Sequence, residues 1–238
     1  MGTLAVFGAG PGLGMSIAHR FGREGHRVAL VSRTGTRHPG YLAALAEAGV
    51  EAAAFVADVR DRSQVTATVA AITERFDHPE IVYYGPSALD PDDRPTPLVE
   101  ADSASVHRAM SWVYAAVDLV GAVLPGMVER GTGGLLLAGG LSSVVPMPAL
   151  GSLALSSAAL RNYAVTLNAA LAERGVYAGT LTIGGLIERG DIHRFVAAHP
   201  EAFGSTANRT LDPDDIADTA WSLYAKRDRA EAVFTSHP

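Results

Sequence analysis

The sequence predicts an α/β fold, a doubly wound, seven-stranded parallel sheet with helices on both faces, formed as a single domain over residues 1–238. Three observations predict it. Short apolar runs alternate with segments of helical periodicity along the whole chain. A glycine-rich turn joins the first such run to the first helix. No linker, repeat or low-complexity stretch interrupts the pattern. Alternation of this kind pairs strands in parallel through crossover helices, the Rossmann-type arrangement, over a length sufficient to bury a large core. Another α/β layer fold is the alternative on the pattern alone.

Each element has its own local reason. Residues 3–7 (TLAVF) form a short apolar run ending in glycines, which reads as a buried strand. Residues 13–21 carry apolar side chains at helical spacing and stop near Gly22 and Gly25. Strand-like runs follow at 26–31, 51–56 and 81–84, separated by helices over 41–48 and 63–76. In the second of these helices Val65, Val69 and Ile72 share one side. A long helix over 102–128, with Pro125-Gly126 near its end, leads to a fifth strand at 134–138. A second long helix over 152–173 precedes a sixth strand at 177–183. Irregular chain with short helical pieces is expected from 184 to about 209. Asp212-Pro213-Asp214-Asp215 then opens a last helix with a capped, acidic N-terminus, and 232–235 is a seventh strand.

Composition removes several kinds of chemistry. There is no cysteine, so disulfides, thiolate catalysis and cysteine-ligated metals are excluded. The eight histidines form no ligand pair at helical spacing, so no metal site is expected. A net charge of -6 with no basic patch argues against nucleic acid as a partner. No apolar run of membrane-spanning length and no signal-like N-terminus are apparent, which predicts a soluble cytoplasmic protein without a membrane partner. Lys226 is the only lysine in the chain.

The turn after the first strand reads Gly8-Ala9-Gly10-Pro11-Gly12-Leu13-Gly14. A turn this tight needs positive φ and a backbone bare enough for a pyrophosphate to approach, and the following helix offers its free N–H groups to the anion. Leu13 breaks the ordinary G-x-G-x-x-G spacing, whereas Gly8-x-x-x-Gly12-x-Gly14 is present. At the end of the second strand, Ser32-Arg33-Thr34 lacks the carboxylate that would bind a ribose 2′-hydroxyl. An arginine fork with two hydroxyls suits a 2′-phosphate instead, which points to NADP(H).

With these motifs in view, the chain resembles the short-chain dehydrogenases/reductases over nearly its whole length. Asp58-Val59 looks like the family's adenine-contacting pair, and Leu124-Pro125-Gly126-Met127 matches the usual end of the long fourth helix. Gly184-Gly185-Leu186-Ile187-Glu188-Arg189 resembles the loop that holds the nicotinamide carboxamide, with Gly184 in place of proline and Arg189 in place of threonine. The resemblance implies an NADP(H)-dependent oxidoreductase acting on a small molecule. It also implies a homodimer or homotetramer built from the two long helices. The cofactor-binding residues it implies, together with those read from the turn and second strand, are Gly8, Gly10, Pro11, Gly12, Leu13, Gly14, Ser32, Arg33, Thr34, Asp58, Val59, Gly85, Gly185 and Ile187.

The catalytic positions depart from the family. Its members usually carry an Asn, a Ser and a Tyr-x-x-x-Lys pair, which here fall on Trp112, Gly140, Leu153 and Ser157. The fourth-strand Asn-Asn-Ala-Gly motif becomes Tyr83-Tyr84-Gly85-Pro86. Because Lys226 has no tyrosine four residues before it, no shift of register restores the acid–base pair. Ser142, Ser143, Tyr84 and Tyr114 are the candidate substitutes; turn hydroxyls and core packing are their ordinary roles. Arg161 could supply the missing positive charge, though not a proton, and Trp112 would dry the acceptor pocket. Glu188, Asp191 and His193 lie in the loop that caps substrates in this family, where solvation is the default role. Three readings follow. One is a reductase for an iminium or conjugated acceptor that needs no Tyr/Lys acid. Another is a non-redox cyclase or isomerase on the same scaffold. The third is a catalytically inactive NADP(H) sensor or partner subunit.

Overall fold

The computed structural model describes residues 2–87, 93–203 and 209–236. A seven-stranded, all-parallel sheet runs in the order β3-β2-β1-β4-β5-β6-β9. Its strands are β1 (Thr3–Phe7), β2 (Arg27–Ser32), β3 (Ala52–Val56), β4 (Ile81–Tyr84), β5 (Gly133–Gly140), β6 (Val176–Gly184) and β9 (Glu231–Thr235). The order reverses between β1 and β4, and in open sheets of this kind a crevice opens there beyond the strands' C-terminal ends.

The pleat divides each strand between two cores. Ala5 and Phe7 of β1, Val82 and Tyr84 of β4, and Leu135 and Leu137 of β5 face α3 (Arg62–Phe76), α4 (Ser103–Arg130) and α5 (Gly151–Leu171). Leu4, Val6, Ile81, Tyr83 and Leu136 face the opposite way. They pack on α1 (Leu13–Arg23), α2 (His38–Glu47) and α8 (Pro213–Lys226). Every residue of β1 and β4 is buried, as a parallel strand covered on both faces requires.

Short polar side chains fix the helix starts. Asp61 accepts from the backbone N–H of Ser63 and Gln64 at α3, and Asp102 and Ser105 form a reciprocal capping box at α4. Asp212 caps α8, with Pro213 at its first position. Gly131, with φ 65°, ends α4 in the left-handed conformation.

Three sequence expectations change. Helix α2 starts at His38, three residues earlier than the periodicity indicated, because Pro39 fits the first helical turn where no N–H bond is needed. The stretch from 184 to about 209 holds the short helical pieces expected of it, α6 (Asp191–Ala197) and α7 (Pro200–Phe203), but β7 (Leu186–Ile187) near its start pairs in parallel with β8 (Thr210–Leu211) just past its end, where no strands were expected. Helix α4 is long and apolar enough by length and composition to cross a membrane, contrary to the expectation that no such segment exists. In the fold its apolar side, with Val113, Ala116, Leu119, Val120, Val123 and Met127, is buried in the core.

Candidate functional site

The β1–α1 turn is shaped by backbone constraints. Gly8 has φ 105°, and a β-carbon there would lie 2.6 Å from the carbonyl of Gly85. The loops after β1 and β4 therefore touch backbone to backbone, and only glycine permits it. The N–H groups of Gly8 and Ala9 both donate to the Val31 carbonyl at 3.0 Å, tying the turn to β2. Gly10 differs: a β-carbon there would meet nothing nearer than 4.0 Å. The protein itself does not demand glycine at this position, and the bare backbone faces open space. Pro11 is half-buried, Leu13 anchors α1 in the core, and no side chain caps the helix N-terminus at Gly12.

At the end of β2, Arg33 and Thr34 are exposed at the mouth of the crevice. Ser32 faces inward: its hydroxyl donates to the Thr34 carbonyl at 3.0 Å and lies 2.7 Å from Nε2 of His38. It thus shapes the turn that presents its two neighbours. Burial holds the His38 pKa below its usual value, so a neutral ring donating from Nε2 fits this contact. Arg37, just before α2, reaches across to Asp191 of α6 at 2.6 Å. No local pattern joins residues 154 positions apart, and the sequence reading passed over this pair.

After β3, Val59 is buried, and the Asp58 carboxylate accepts from the Arg60 backbone N–H at 2.9 Å. The Arg60 guanidinium pairs with Asp93 at 3.1 Å and lies 4.5 Å from the centre of the Trp112 ring. The indole was expected to dry the acceptor pocket. It instead packs beside Arg60 on the Asp58 side, because a guanidinium is drawn to an aromatic face.

Two other substitutes are also withdrawn. The Tyr84 hydroxyl donates to the Trp112 carbonyl at 2.6 Å inside the core, and burial raises its pKa far above the ordinary range. A buried phenol already bonded to backbone has no free path to an acceptor, so Tyr84 is corrected from candidate acid to core residue. Arg161 forms a bidentate pair with Glu231 of β9 at 2.7 and 2.6 Å, and Thr182 donates to the same carboxylate at 2.7 Å. Its charge is committed there. Tyr114 is half-exposed on α4, with its ring beside His107.

Gly140 and Ser157, which the resemblance aligns with the family's serine and lysine, lie close together. A β-carbon on Gly140, at the end of β5, would lie 3.2 Å from the Ser157 hydroxyl and 3.3 Å from that of Ser142. The hydroxyl oxygens of Ser142 and Ser143 are buried without a hydrogen-bond partner among the described residues. Leu153, where the family has tyrosine, is half-exposed, as are Val144 and Val145.

The segment after β6 roofs the glycine turn. A β-carbon on Gly12 would come within 3.1 Å of the Glu188 carbonyl and of Gly190. Gly185 packs on Leu211, and Ile187 is half-buried in β7. Arg189 adopts φ 64° and reaches Asp214 at 2.8 Å and Ser16 at 3.2 Å. Glu188 accepts from the Thr210 hydroxyl, and Asp191 is held by Arg37, so both are more than solvated loop charges. His193 Nδ1 is buried without a partner among the described residues.

A seven-stranded doubly wound sheet with a glycine turn at its reversal point defines a dinucleotide-fold protein. Residues 3–188 match the family model described as short chain dehydrogenase, and the chain belongs to that family. A Streptomyces coelicolor protein named "Putative ketoacyl reductase" is 35% identical over 135 residues, 54% of this chain. The match spans only about half (49%) of that relative's length. "NADP-dependent 3-hydroxy acid dehydrogenase YdfG" of Salmonella typhi is 28% identical over 224 residues, covering 91% of this chain and 86% of its own. Among solved structures, the apo short chain oxidoreductase from Pseudomonas aeruginosa PAO1, described as "Containing an Atypical Catalytic Center", superposes with a TM-score of 0.85 at 19% identity. That superposition covers 99% of this chain and 96% of the other.

Proposed function

We propose that the chain binds NADP(H) and acts as a reductase for a small acceptor that needs no tyrosine–lysine acid, such as an iminium or a conjugated carbonyl compound. The observation that carries the reading is the contrast between Gly10, a glycine the fold does not require, and Leu153, where an acid would stand. The open backbone at Gly10 and the uncapped start of α1 fit a pyrophosphate. Arg33 and Thr34 fit a 2′-phosphate, on a turn held by Ser32. Asp58, Val59 and Gly85 would flank the adenosine, and Gly185 and Ile187 the nicotinamide. When bound, NADPH supplies the hydride. The chain's contribution is to orient the acceptor and exclude water, through the roof formed by residues 188–190 and the apolar Val144, Val145 and Leu153.

A homodimer or homotetramer through α4 and α5 belongs to the same proposal, supported by exposed Tyr114, Val117 and Leu155 on those helices. Calorimetric titration with NADPH and NADH, followed by single-turnover absorbance with enone, iminium and plain ketone acceptors, tests the reading. Tighter binding of NADPH and oxidation by the first two acceptors only are the expected results. Binding without oxidation by any acceptor would identify a sensor or partner subunit, and acceptor turnover with NADPH unconsumed would identify a non-redox enzyme. Binding of neither coenzyme removes the proposal.

A further inference from the structure

The Arg37–Asp191 pair joins two loops that meet at the mouth of the crevice. On one side, Nε2 of His38 lies 2.7 Å from the Ser32 hydroxyl, and the His38 N–H donates to the Gly35 carbonyl at 3.0 Å. These contacts fold residues 32–38 into one tight turn, so Arg37 shares it with the exposed Arg33 and Thr34. On the other side, Asp191 directly follows Gly190, which lies 3.1 Å from the place of a β-carbon on Gly12. The 2.6 Å pair thus straps the β2–α2 turn to the segment above the glycine turn. A dinucleotide with its pyrophosphate at the glycine turn and its 2′-phosphate at Arg33 and Thr34 spans the same two turns. The strap is easily exchanged. The Arg37 side chain is 51% exposed, and a pair so solvated contributes little to stability. Asp191 has a second cation nearby, Arg194 on its own helix at 3.8 Å, so its release from Arg37 strands no charge.

We propose that Arg37 is a switch: it ties α6 to the β2–α2 turn in the free protein and passes to the 2′-phosphate when NADP(H) binds, releasing α6 at Asp191. The inference rests on the NADP(H)-binding part of the reading above and adds a link from the cofactor to α6. A 2′-phosphate carries close to two negative charges against one on Asp191, and offers the guanidinium three acceptor oxygens. It therefore wins the competition for Arg37, and it repels the carboxylate it displaces. The 2′-hydroxyl of NAD(H) is uncharged and leaves the strap in place. Release is confined to α6, because Glu188 stays bonded to Thr210 and Arg189 to Asp214. The roof over the glycine turn stays seated while the helix beyond it is freed. The identity of the coenzyme is thereby signalled to a segment that the family resemblance places over the acceptor.

Hydrogen exchange of the full-length protein, saturated with NADP⁺ or with NAD⁺, reads the release directly, since the two coenzymes differ only at the 2′ position. Amides of α6 are expected to exchange about twofold to fivefold faster with NADP⁺. In Asp191→Asn the strap is already broken, so α6 should exchange fast without ligand and the difference between coenzymes should vanish. The same variant should bind NADPH about twofold to fivefold more tightly, because Arg37 no longer leaves a carboxylate to reach the phosphate. Its NADH affinity should stay within about twofold. Arg37→Gln should instead weaken NADPH binding at least about threefold and spare NADH. Equal α6 exchange with both coenzymes, or slower exchange with NADP⁺, overturns the inference while the NADP(H) reading stands. Unchanged NADPH affinity in Asp191→Asn overturns it likewise. Failure of the wild type to bind NADPH removes that reading and this inference together.

Discussion

The two ends of the crevice are built on different terms. At the β1–β2 end the proposed ligand contacts are made by bare backbone at Gly10 and the uncapped start of α1, and the sequence retains the glycines of that turn. At the β5–α5 end the family's chemistry depends on side chains, and the proposed reading takes Trp112, Gly140, Leu153 and Ser157 as the residues that replace its tetrad. The contrast has a physical origin. Gly8 is required by the fold whether or not a ligand binds, because its φ and its contact with Gly85 admit no β-carbon. No comparable packing constraint keeps a tyrosine at position 153, which is half-exposed. Retention of the whole glycine motif is therefore weaker evidence for a cofactor than Gly10 alone, the position where packing makes no demand.

Substitutions can break this comparison. Gly8→Ala has the largest expected effect, a loss of about 3 kcal/mol or more by thermal or urea unfolding, from positive φ and collision with the Gly85 carbonyl. Unchanged stability would show that the two loops do not touch. Gly10→Ala should leave the melting temperature unaltered yet weaken NADPH binding at least about tenfold, or about 1.4 kcal/mol. If calorimetry finds wild-type affinity in that variant, the bare backbone there is not a binding surface.

At the other end, Glu231→Gln is expected to destabilise the fold by about 1 kcal/mol, discounted because the pair is partly solvated. Hydrogen bonding from Arg161 holds the Glu231 pKa below its ordinary 4.5. The carboxylate's contribution is complete above that value and fades as pH falls through the lower folded pKa. The gap between wild type and variant should accordingly close in acid and persist at neutral pH; a gap that widens in acid would reverse the assignment. Smallest is Asp191→Asn, which breaks a largely solvated pair with Arg37. Its effect on unfolding should stay under about 1 kcal/mol and shrink with added salt.

The sheet was legible because its strands are fully buried apolar runs, such as residues 3–7 and 81–84, bounded by glycine or helix signals. The two-residue strands β7 and β8 were not, since two residues carry no period. At the site, the glycine turn could be read by spacing, whereas the departures at 112, 140, 153 and 157 are what the family resemblance implies. Side-chain direction could not. Tyr84 and Trp112 looked like pocket residues until the Tyr84 bond to the Trp112 carbonyl and the Arg60 contact showed where each points. Arg161 was placed on the right helix, but its partner is 70 residues away in β9. Ser157 was identified only as a missing lysine. Its approach to Gly140 emerges only when β5 and α5 are packed together.

The placement of Arg60 over Trp112 has an optical consequence. The chain holds two tryptophans. One indole sits beside the guanidinium that also neighbours Asp58, so anything settling against that carboxylate alters its emission. The other, Trp221, lies edge-on to Phe21 between α1 and α8 and supplies an internal reference signal. Occupancy of the proposed nucleotide end would thereby be readable from the native chain's own fluorescence, without a dye.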